Sequence, residues 1–331
     1  MRVLIVKTSS MGDLIHTLPA LTDAQKAYQD IHFDWVAEEA FAEIPGWHPA
    51  VAGVIKVAIR RWRKNFLQTL QQGEICAAIR QIRQHDYDYV IDAQGLLKSA
   101  AITLMAKGVR CGVDRQSSRE SLAAIAYRQC YRIPDSLHAI DRWRMLFARV
   151  LGHQYDRQVL DYGINPQPAA ANDQQPYLVF LHGTSRDTKL WPLEEWIALA
   201  KLAQQDFTVY LPWGSHAELQ RAAEIARQVA CCKVLPKMNL GAIARLLAGA
   251  AGVVGVDTGL AHLSAALDVP GVAIYTETSP DLVGACGRRQ LCITEQQYAP
   301  DQVAMAGLHK EYNEHITAEI VWKRLNLQIM I

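Results

Sequence analysis

Short runs of apolar residues alternate with longer amphipathic stretches along most of this chain. The runs are rich in Val, Ile and Leu, and the stretches between them place apolar residues at helical spacing. This alternation is typical of parallel β-sheets whose strands are joined by crossover helices. In the first half of the chain it predicts strands at residues 3–7, 32–36, 54–58, 89–92 and 110–113. It predicts helices near residues 13–28, 66–84, 96–107, 119–128 and 138–151.

A polar, proline-rich stretch at residues 165–176 interrupts the alternation and has the composition of a linker. The alternation then resumes, and it predicts strands at residues 177–181, 208–211, 233–235, 252–256 and 272–275. Helices are predicted near residues 193–204, 215–229, 240–249, 258–267 and 316–326.

Chain length and this pattern together predict an α/β protein of two doubly wound, Rossmann-like domains. The 331 residues exceed what one hydrophobic core usually organises, so we expect a domain at 1–164, a linker at 165–176 and a domain at 177–310. Open parallel sheets bind ligands at the carboxyl ends of their strands, and we expect the two domains to face a central cleft there. The last segment, 311–331, is expected to form a helix, and the sequence leaves it free to pack back on the first domain.

Composition and charge are those of an ordinary globular protein. Hydrophobic residues make up 50% of the chain and charged residues 20%, and the formal net charge is +1. This balance, without a nucleic-acid-binding motif, argues against nucleic acid as a partner.

Seven scattered cysteines without a Cys-x-x-Cys pair are typical of reduced thiols and not of a zinc site. The longest uncharged apolar run, 246–256, is about half a membrane span, so we expect a cytoplasmic chain without a transmembrane helix.

The junction at residues 253–263 combines the features of an anion-binding site. A strand-like run leads to Asp257, Thr258 and Gly259 at the start of a predicted helix. The first N–H groups and the dipole of such a helix favour an anion. Thr258 and His262 are four residues apart, so they share a helix face and can both look into the site. The alternative is a capped core helix that contains a hydrogen-bonded histidine.

Asp13 lies in the first turn of the predicted helix that follows the first strand. Its carboxylate could take the proton of a substrate hydroxyl as a general base, an effect worth about a hundred- to ten-thousand-fold in rate. The alternative is an acid that stabilises the helix start by roughly 0.3–1 kcal/mol through the helix dipole. That dipole lowers the pKa of the carboxylate and weakens it as a base, whereas a neighbouring anionic substrate raises the pKa again.

Loops of the second domain offer further ligand-binding groups. One loop contains Thr184, Ser185 and Lys189, a set that can hold a diphosphate and neutralise its charge as it leaves. It lacks the P-loop pattern, and a solvated polar loop is the alternative. Glu218 follows a strand, where a carboxylate can bind ribose hydroxyls or simply begin a helix. Met238 can lie against a flat base or fill the core.

Four cations of the first domain, Arg60, Arg61, Arg63 and Lys64, lie within five residues. A solvated charged face is the usual meaning of such a run. Clustered guanidinium groups also bind carboxylates and phosphates, which would suit a polyanionic partner.

In their order and spacing, these segments resemble the ADP-heptose:lipopolysaccharide heptosyltransferases, which form glycosyltransferase family 9 and have the GT-B fold. The likeness covers essentially the whole chain and is strongest at residues 1–21, 58–64, 90–100, 179–192, 211–218, 235–238 and 256–266. It implies an inverting transfer of L-glycero-D-manno-heptose from ADP-heptose to a Kdo residue of Kdo2-lipid A. This reaction belongs to the synthesis of the lipopolysaccharide inner core in Gram-negative bacteria.

The resemblance also implies a role for each matched residue. Asp13 would be the base, and Lys189 would stabilise the departing ADP. The ADP-heptose would be held in the second domain by Thr184, Ser185, Lys189, Glu218, Met238, Asp257, Thr258, Gly259 and His262. The acceptor would be bound in the first domain by Arg60, Arg61, Arg63, Lys64, Lys98 and Arg119.

No Asp-x-Asp motif lies near the donor site, so we expect no protein-held metal, and the sequence indicates neither a cofactor nor an obligate protein partner. The family implies a peripheral place on the cytoplasmic face of the inner membrane. The chain departs from the family pattern at Ser185, where a threonine is usual. It departs again at residues 276–280, which read Thr-Glu-Thr-Ser-Pro in place of Gly-Pro-Thr-Asp-Pro and bear on sugar preference. Three alternatives stay open: a family member whose acceptor already carries a heptose, a nucleotide-sugar epimerase or hydrolase, and a non-catalytic protein that binds an anionic glycolipid.

Overall fold

The computed structural model of the protein describes residues 1–164, 175–184, 186–296 and 305–330, with the backbone alone at 66, 67 and 70. The chain divides into two compact units, Met1–Ile164 and Asn165–Ile331. Each unit is built on one sheet of parallel strands. The predicted fold class, two α/β domains with parallel sheets, is therefore confirmed.

The first unit alternates strands and helices along its chain. Its strands are β1 (Arg2–Val6), β2 (His32–Glu38), β3 (Val51–Val57), β4 (Asp86–Asp92), β5 (Lys107–Val113) and β6 (Gln129–Tyr131). Its helices are α1 (Met11–Ala27), α2 (Ile59–Lys64), α3 (Phe66–Gln71), α4 (Glu74–Ile82), α5 (Leu97–Met105) and α6 (Ala139–Leu151). The strands pair in the order β3-β2-β1-β4-β5-β6, and β1 and β2 are buried along nearly their whole length. Such continuous burial is expected where both faces of a parallel sheet are covered.

The second unit repeats this plan. Its strands are β7 (Tyr177–Leu181), β8 (Thr208–Leu211), β9 (Cys232–Val234), β10 (Gly252–Val256), β11 (Gly271–Tyr275), β12 (Gln290–Thr294) and β13 (His309–Tyr312). Its helices are α7 (Leu193–Ala203), α8 (His216–Gln228), α9 (Leu240–Ala248), α10 (Gly259–Ala266), α11 (Pro280–Val283) and α12 (Ala318–Met330). The sheet order is β13-β12-β11-β10-β7-β8-β9. Among the described residues of both units, none of the helices has the length and apolar character that a membrane span requires.

In both units the first strand lies in the interior of its sheet. β1 lies between β2 and β4, and β7 lies between β8 and β10. The chain therefore forms the strands on one side of this first strand before it forms those on the other side. The loops after β1 and β4 leave the sheet in opposite directions, as do the loops after β7 and β10. Ligands of doubly wound folds bind in the crevice that opens at such a point.

The structure corrects two of the predicted helices. Within the predicted helix 119–128, the residues Ser121–Ala126 form a 3-10 helix instead. The predicted helix 66–84 consists of α3 and α4, which are separated at Gly73, where φ is 70°. Glycine adopts this left-handed conformation without the steric cost that a Cβ would bring, so the helix ends there. The short helix α2 was not predicted, because its run of cations hides any apolar periodicity.

Three strands and one short helix, α11, were also not predicted. β6 and β13 are the outermost strands of their sheets, and their residues are exposed or half-buried. They consequently lack the apolar face on which the sequence pattern depends. β12 is buried throughout, but polar Gln290 and Thr294 at its ends leave an apolar run of only three residues.

The final helix packs within the second unit, where the sequence had left it free to pack on the first. Val321 and Leu325 of α12 are fully buried and belong to the hydrophobic core of the second unit. Before the helix, the Ile316 carbonyl accepts a hydrogen bond from the Trp191 indole at 2.9 Å. The first turn of α12 is thus fixed to the same core that supports β7 to β12.

A buried ion pair joins α6 to α1 in the first unit. The Arg144 side chain is 1% exposed, and its guanidinium donates to the two carboxylate oxygens of Asp23 at 2.6 and 3.1 Å. It also donates to the Asp156 carbonyl at 2.8 Å and lies 4.5 Å over the ring of Tyr155. A cation at this depth depends on its partners, because an unpaired buried charge is strongly unfavourable.

Replacing Asp23 by alanine is expected to lower the free energy of unfolding of the first unit by about 3–5 kcal/mol, because it leaves Arg144 buried without its counter-ion. Urea denaturation measures this loss. The control is Lys26→Ala on the same helix, which breaks a pair with Asp161 whose side chains are 57% and 48% exposed. The control is expected to cost less than about 1 kcal/mol. Equal losses in the two variants would contradict the assignment.

Candidate functional site

The candidate site of the second unit is centred on the carboxylate of Asp257, which follows β10 and is 8% exposed. Its Oδ2 accepts hydrogen bonds from Lys189 Nζ at 2.5 Å and from the Thr278 hydroxyl. His262 Nε2 lies 3.8 Å from Oδ1. The Thr184 hydroxyl donates to the main-chain carbonyl of Asp257 at 3.0 Å. The structure therefore brings four of the predicted donor-site residues together, from the diverging loops after β7 and β10.

Opposing effects act on the pKa of Asp257. Burial raises the pKa, but the hydrogen bond and charge of His262, the Lys189 ammonium and the Thr278 hydroxyl outweigh this effect. The pKa lies well below its ordinary value, so the carboxylate is ionised at neutral pH. Both members of the Lys189–Asp257 ion pair are largely buried, with side chains 16% and 9% exposed. The ammonium group is thus fixed by Asp257, and the sequence did not predict this pairing.

The start of α10 lies directly beside this carboxylate. Thr258 occupies the N-cap position, and its side chain makes no capping hydrogen bond. Gly259 follows as the first helical residue. Such a helix start presents main-chain N–H groups and the positive end of the dipole to an anion. His262 is 6% exposed and lies against Asp257. Its contact with a ligand stays a prediction.

Glu218 is in the first turn of α8 and lies over Gly183. Its Oε2 accepts hydrogen bonds from the amides of Gly214 at 2.6 Å and Ser215 at 3.1 Å, and the Ser215 hydroxyl accepts from the Glu218 amide at 3.2 Å. This capping box is the second of the two roles that the sequence allowed for Glu218, stabilisation of a helix start. A Cβ on Gly183 would lie 2.6 Å from Glu218 Cγ, so glycine lets the carboxylate approach the loop of Thr184. Binding of ribose by Glu218 stays a prediction.

Met238 is half-buried in the loop after β9, and it precedes Asn239, whose side chain caps α9. The Trp213 indole donates to the Leu235 carbonyl at 2.7 Å, which joins the loop after β8 to the loop of Met238. Ser185, the remaining predicted donor residue, lies outside the described residues. The contact of Met238 with a base stays a prediction.

The loop after β11, where the chain departs from the family pattern, is bonded to the segment that carries Lys189. The Thr188 hydroxyl donates to Glu277 Oε2 at 2.7 Å. The Thr276 hydroxyl donates to the Thr188 carbonyl at 3.1 Å. Because Thr188 directly precedes Lys189, these bonds hold the backbone from which the ammonium group extends. The sequence gave no signal for this contact, since its partners are 88 and 89 residues apart.

The candidate site of the first unit is centred on Asp13, which lies in the first turn of α1 as predicted. Ser10 donates to Asp13 Oδ2 from its amide at 2.9 Å and from its hydroxyl at 2.8 Å. Lys7 Nζ lies 3.6 Å from Oδ1. The Asp13 side chain remains 39% exposed, so a substrate hydroxyl can reach it.

The pKa of Asp13 lies below its ordinary value. Burial raises the pKa, but the charge of Lys7, the two hydrogen bonds from Ser10 and the charge of Arg119 together outweigh it. The side chain is therefore an ionised proton acceptor at neutral pH. The same interactions weaken Asp13 as a base. It can accept the proton only once the substrate hydroxyl has begun to release it.

Lys7 is the residue of this site that the sequence analysis missed. It follows β1 directly, is 2% exposed and donates to the Ala93 carbonyl at 2.7 Å. Its Nζ lies 4.0 Å from the centre of a Trp143 ring. Burial lowers the pKa of Lys7, and the charges of Asp13 and Asp92 oppose that effect. Buried lysines are almost always paired. The single charge at the end of an apolar strand was therefore the signal that could have identified Lys7.

The loops after β1 and β4 are bonded to one another near Asp13. Gln94 Oε1 accepts hydrogen bonds from the amide and the hydroxyl of Thr8, both 2.8 Å long. Lys98 Nζ donates to the Ser9 hydroxyl at 3.2 Å. Arg119 is near enough for its charge to act on the pKa of Asp13. Two of the six predicted acceptor-binding cations, Lys98 and Arg119, therefore lie near the predicted base.

The other four predicted acceptor-binding cations lie on α2, which follows β3 at the edge of the same sheet. The Arg61 guanidinium donates to the carboxylates of Glu39 and Glu74 at distances from 2.9 to 3.2 Å. It is thus already paired with two acids. The remaining three cations are exposed. Acceptor binding by all four stays a prediction.

The two sites offer complementary chemistry. In the second unit, the start of α10, the Thr184 hydroxyl and the Lys189 ammonium fit a diphosphate. In the first unit, an accessible carboxylate surrounded by cations fits the removal of a proton from an anionic substrate. Among the residues that the structure describes, no group of three or more His, Cys, Asp or Glu side chains could hold a metal ion.

Comparison with known proteins gives consistent matches. A model of glycosyltransferase family 9 (heptosyltransferase) matches residues 75–312. Lipopolysaccharide heptosyltransferase 1 of Pseudomonas aeruginosa is 53% identical over 294 residues, which cover 88% of this chain and 83% of that protein. The structure of E. coli heptosyltransferase WaaC with ADP superposes with a TM-score of 0.87 at 45% identity, over 99% of this chain and 100% of that one. The same enzyme with ADP-2-deoxy-2-fluoro heptose gives 0.84 at 44% identity, over 99% of each chain.

The stability of the second unit is expected to fall between pH 6.5 and pH 4 because of His182, which precedes Gly183 and Thr184. The side chain is fully buried, and burial, helped by the charge of Arg221, lowers the pKa of His182 from 6.5 to about 4. The unfolded chain then binds the proton first as the pH falls, so the folded state loses about 2 kcal/mol between pH 7 and pH 5. Denaturant unfolding at both pH values measures this loss. In His182→Phe the pH-dependent loss is expected to shrink by that amount, and an unchanged loss would show that other groups cause it.

Proposed function

The chain belongs to glycosyltransferase family 9, the heptosyltransferases, and on that premise we propose that it transfers L-glycero-D-manno-heptose from ADP-heptose to a Kdo residue of Kdo2-lipid A. It is an ADP-heptose-dependent glycosyltransferase of lipopolysaccharide inner-core synthesis, of the heptosyltransferase 1 type. The observation that carries this conclusion is the high identity to lipopolysaccharide heptosyltransferase 1 along nearly the whole chain.

The donor is bound by the second unit in this proposal. The diphosphate of ADP-heptose lies on the start of α10, where Thr258 and Gly259 offer main-chain N–H groups, and Lys189 and Thr184 contact its oxygens. Charge grows on the diphosphate as the bond to the sugar breaks, and Lys189 stabilises that charge. Asp257, one of the predicted donor-binding residues, also acts as a positioning residue, because it holds Lys189 at 2.5 Å.

Asp13 is the base of the reaction in this proposal. A hydroxyl oxygen of the acceptor attacks the anomeric carbon of the heptose, and the bond from that carbon to the diphosphate oxygen breaks, so the configuration inverts. The hydroxyl proton passes to the Asp13 carboxylate. The low pKa of Asp13 favours a late transfer, when the oxygen has begun to bond to carbon and its proton has become acidic. Lys98 and Arg119 bind carboxylates of the acceptor near this point, and the cations of α2 extend that surface.

The acceptor also determines where the enzyme works. Lipid A is anchored in a membrane by its acyl chains, and ADP-heptose is a soluble nucleotide sugar. These substrates support work at a membrane surface. In this proposal the enzyme is a peripheral protein at the cytoplasmic face of the inner membrane, as the family resemblance implies.

Replacing Asp13 by asparagine is expected to lower kcat by about a hundred- to ten-thousand-fold, because the amide keeps the shape of the side chain but cannot accept the proton. The dissociation constant for ADP should stay unchanged, since the second unit binds the nucleotide. Steady-state kinetics and calorimetry measure the two quantities. The control is Asp30→Asn, at an exposed carboxylate of the same unit. Full activity in the Asp13 variant would remove this residue from the role of base.

The acceptor is tested by mass analysis of both products. With ADP-heptose and Kdo2-lipid A, we expect one heptose to be added and one ADP released for each acceptor. Without acceptor, the donor should persist. Donor loss without acceptor would instead indicate a hydrolase or epimerase, and transfer only to an acceptor that already carries a heptose would indicate heptosyltransferase II. Binding of Kdo2-lipid A without any donor turnover would indicate a non-catalytic glycolipid-binding protein.

A further inference from the structure

We propose that the exposed face formed by α5 and the 3-10 helix Ser121–Ala126 docks on an anionic lipid surface. Four large side chains define this face, which we name the apolar patch: Leu97, Leu104, Leu122 and Ile125. The inference rests on the proposed function, because a lipid-linked acceptor brings the enzyme to such a surface. It goes further by identifying the part of the molecule that makes the contact.

The apolar patch is unusually exposed. Leu97 is 50% exposed, Leu104 56%, Leu122 63% and Ile125 65%. Among the described large hydrophobic side chains, only Met330, near the end of the chain, is more exposed than Ile125. The two elements that carry the patch pack against each other through buried alanines. Large exposed apolar side chains on two elements that pack together mark a candidate site of protein or membrane contact.

The exposure does not come from a loosely attached segment. The Leu97 amide donates to Glu120 Oε2 at 2.5 Å, and the Glu120 amide donates to the Gly95 carbonyl at 3.1 Å. Tyr127, just after the 3-10 helix, donates its hydroxyl to the buried Asp92 at 2.8 Å. These bonds fix both elements to the sheet, so the apolar side chains are held outward.

The charge around the apolar patch matches an anionic surface. Residues 95–132 contain seven Lys and Arg but two Asp and Glu, a net charge of +5, whereas the whole chain carries +1. Arg115, Arg128 and Arg132 are exposed. An open depression of about 460 Å³ is lined by Ile125 together with Arg115 and Arg132, so two of these cations share a surface with one residue of the patch. Basic residues beside exposed apolar ones are typical of binding to anionic lipids.

Helix α5 and the segment just before the 3-10 helix also carry two of the predicted acceptor-binding cations. Lys98 follows Leu97 on α5 and bonds to Ser9 beside Asp13. The charge of Arg119 lowers the pKa of Asp13, and Arg119 lies close in sequence to Leu122. The sugars of the acceptor would therefore bind on the inner side of the same two elements whose outer side contacts lipid. A second copy of this chain is a poorer occupant, because it would bring two strongly basic surfaces together.

Vesicle flotation of the full chain tests the apolar patch. The vesicles contain either phosphatidylcholine alone or phosphatidylcholine with phosphatidylglycerol. We expect the wild-type protein to float with the anionic vesicles, and the double variant Leu122→Glu/Ile125→Glu to bind them at least about tenfold more weakly. The control is Leu327→Glu, which places one such charge at a 45% exposed position of α12 and should bind like the wild type. Thermal unfolding checks that all three proteins are folded.

The cations are tested separately. Arg128→Ser and Arg132→Ser are each expected to weaken anionic-vesicle binding by about fivefold, and added salt should weaken the wild type in the same direction. Equal binding of the wild type to neutral and anionic vesicles would overturn the electrostatic part of the proposal. Wild-type-like binding by the Leu122→Glu/Ile125→Glu variant would overturn the proposal as a whole.

A water-soluble acceptor without acyl chains separates this proposal from the proposed function. The patch variants should transfer heptose to it at the wild-type rate, while their transfer to acceptor in vesicles falls. If the wild type transfers heptose to neither acceptor, the proposed function fails. Vesicle flotation still tests whether the apolar patch binds lipid. A change of oligomeric state in the patch variants, with unchanged vesicle binding, would assign the patch to a second copy and overturn the lipid assignment.

Discussion

The reversal of strand order in a parallel sheet is the constraint on which both candidate sites depend. Parallel strands all end at one edge, and where the order reverses, the two neighbouring loops turn away from each other. In the first unit these are the loops after β1 and β4, joined through Gln94 and Ser9. In the second they follow β7 and β10, joined through Thr184 and Asp257. Each site is therefore assembled from residues that are about 70 to 90 positions apart.

Each site contains a lysine and an aspartate, but burial gives the two pairs different uses. In the first unit Lys7 is buried and Asp13 is accessible, so a fixed positive charge keeps an exposed carboxylate ionised. In the second unit both Lys189 and Asp257 are mostly buried. There the carboxylate holds the cation beside the start of α10. The first arrangement suits a group that receives a proton, and the second suits a group that stabilises a leaving anion.

The sequence predicted features that arise from local pattern. Asp13 and Thr258 follow directly from a strand, a turn and a helix start, and the strands of both sheet centres follow from their apolar runs. Features that depend on contacts between distant segments were not predicted. The burial of Lys7, the pairing of Arg61 with two acids and the bond from Thr188 to Glu277 belong to this class. The exposed edge strands β6 and β13 were missed for another reason, because they need no apolar face.

The contact between Gly183 and Glu218 has a consequence for how this protein can evolve. The glycine is needed because any side chain there would displace the carboxylate that caps α8. Loss of the cap would in turn loosen the helix start that supports the neighbouring loop. A larger residue at position 183 is consequently tolerated only when position 218 has already become shorter. A change at position 218 must therefore come before a change at position 183.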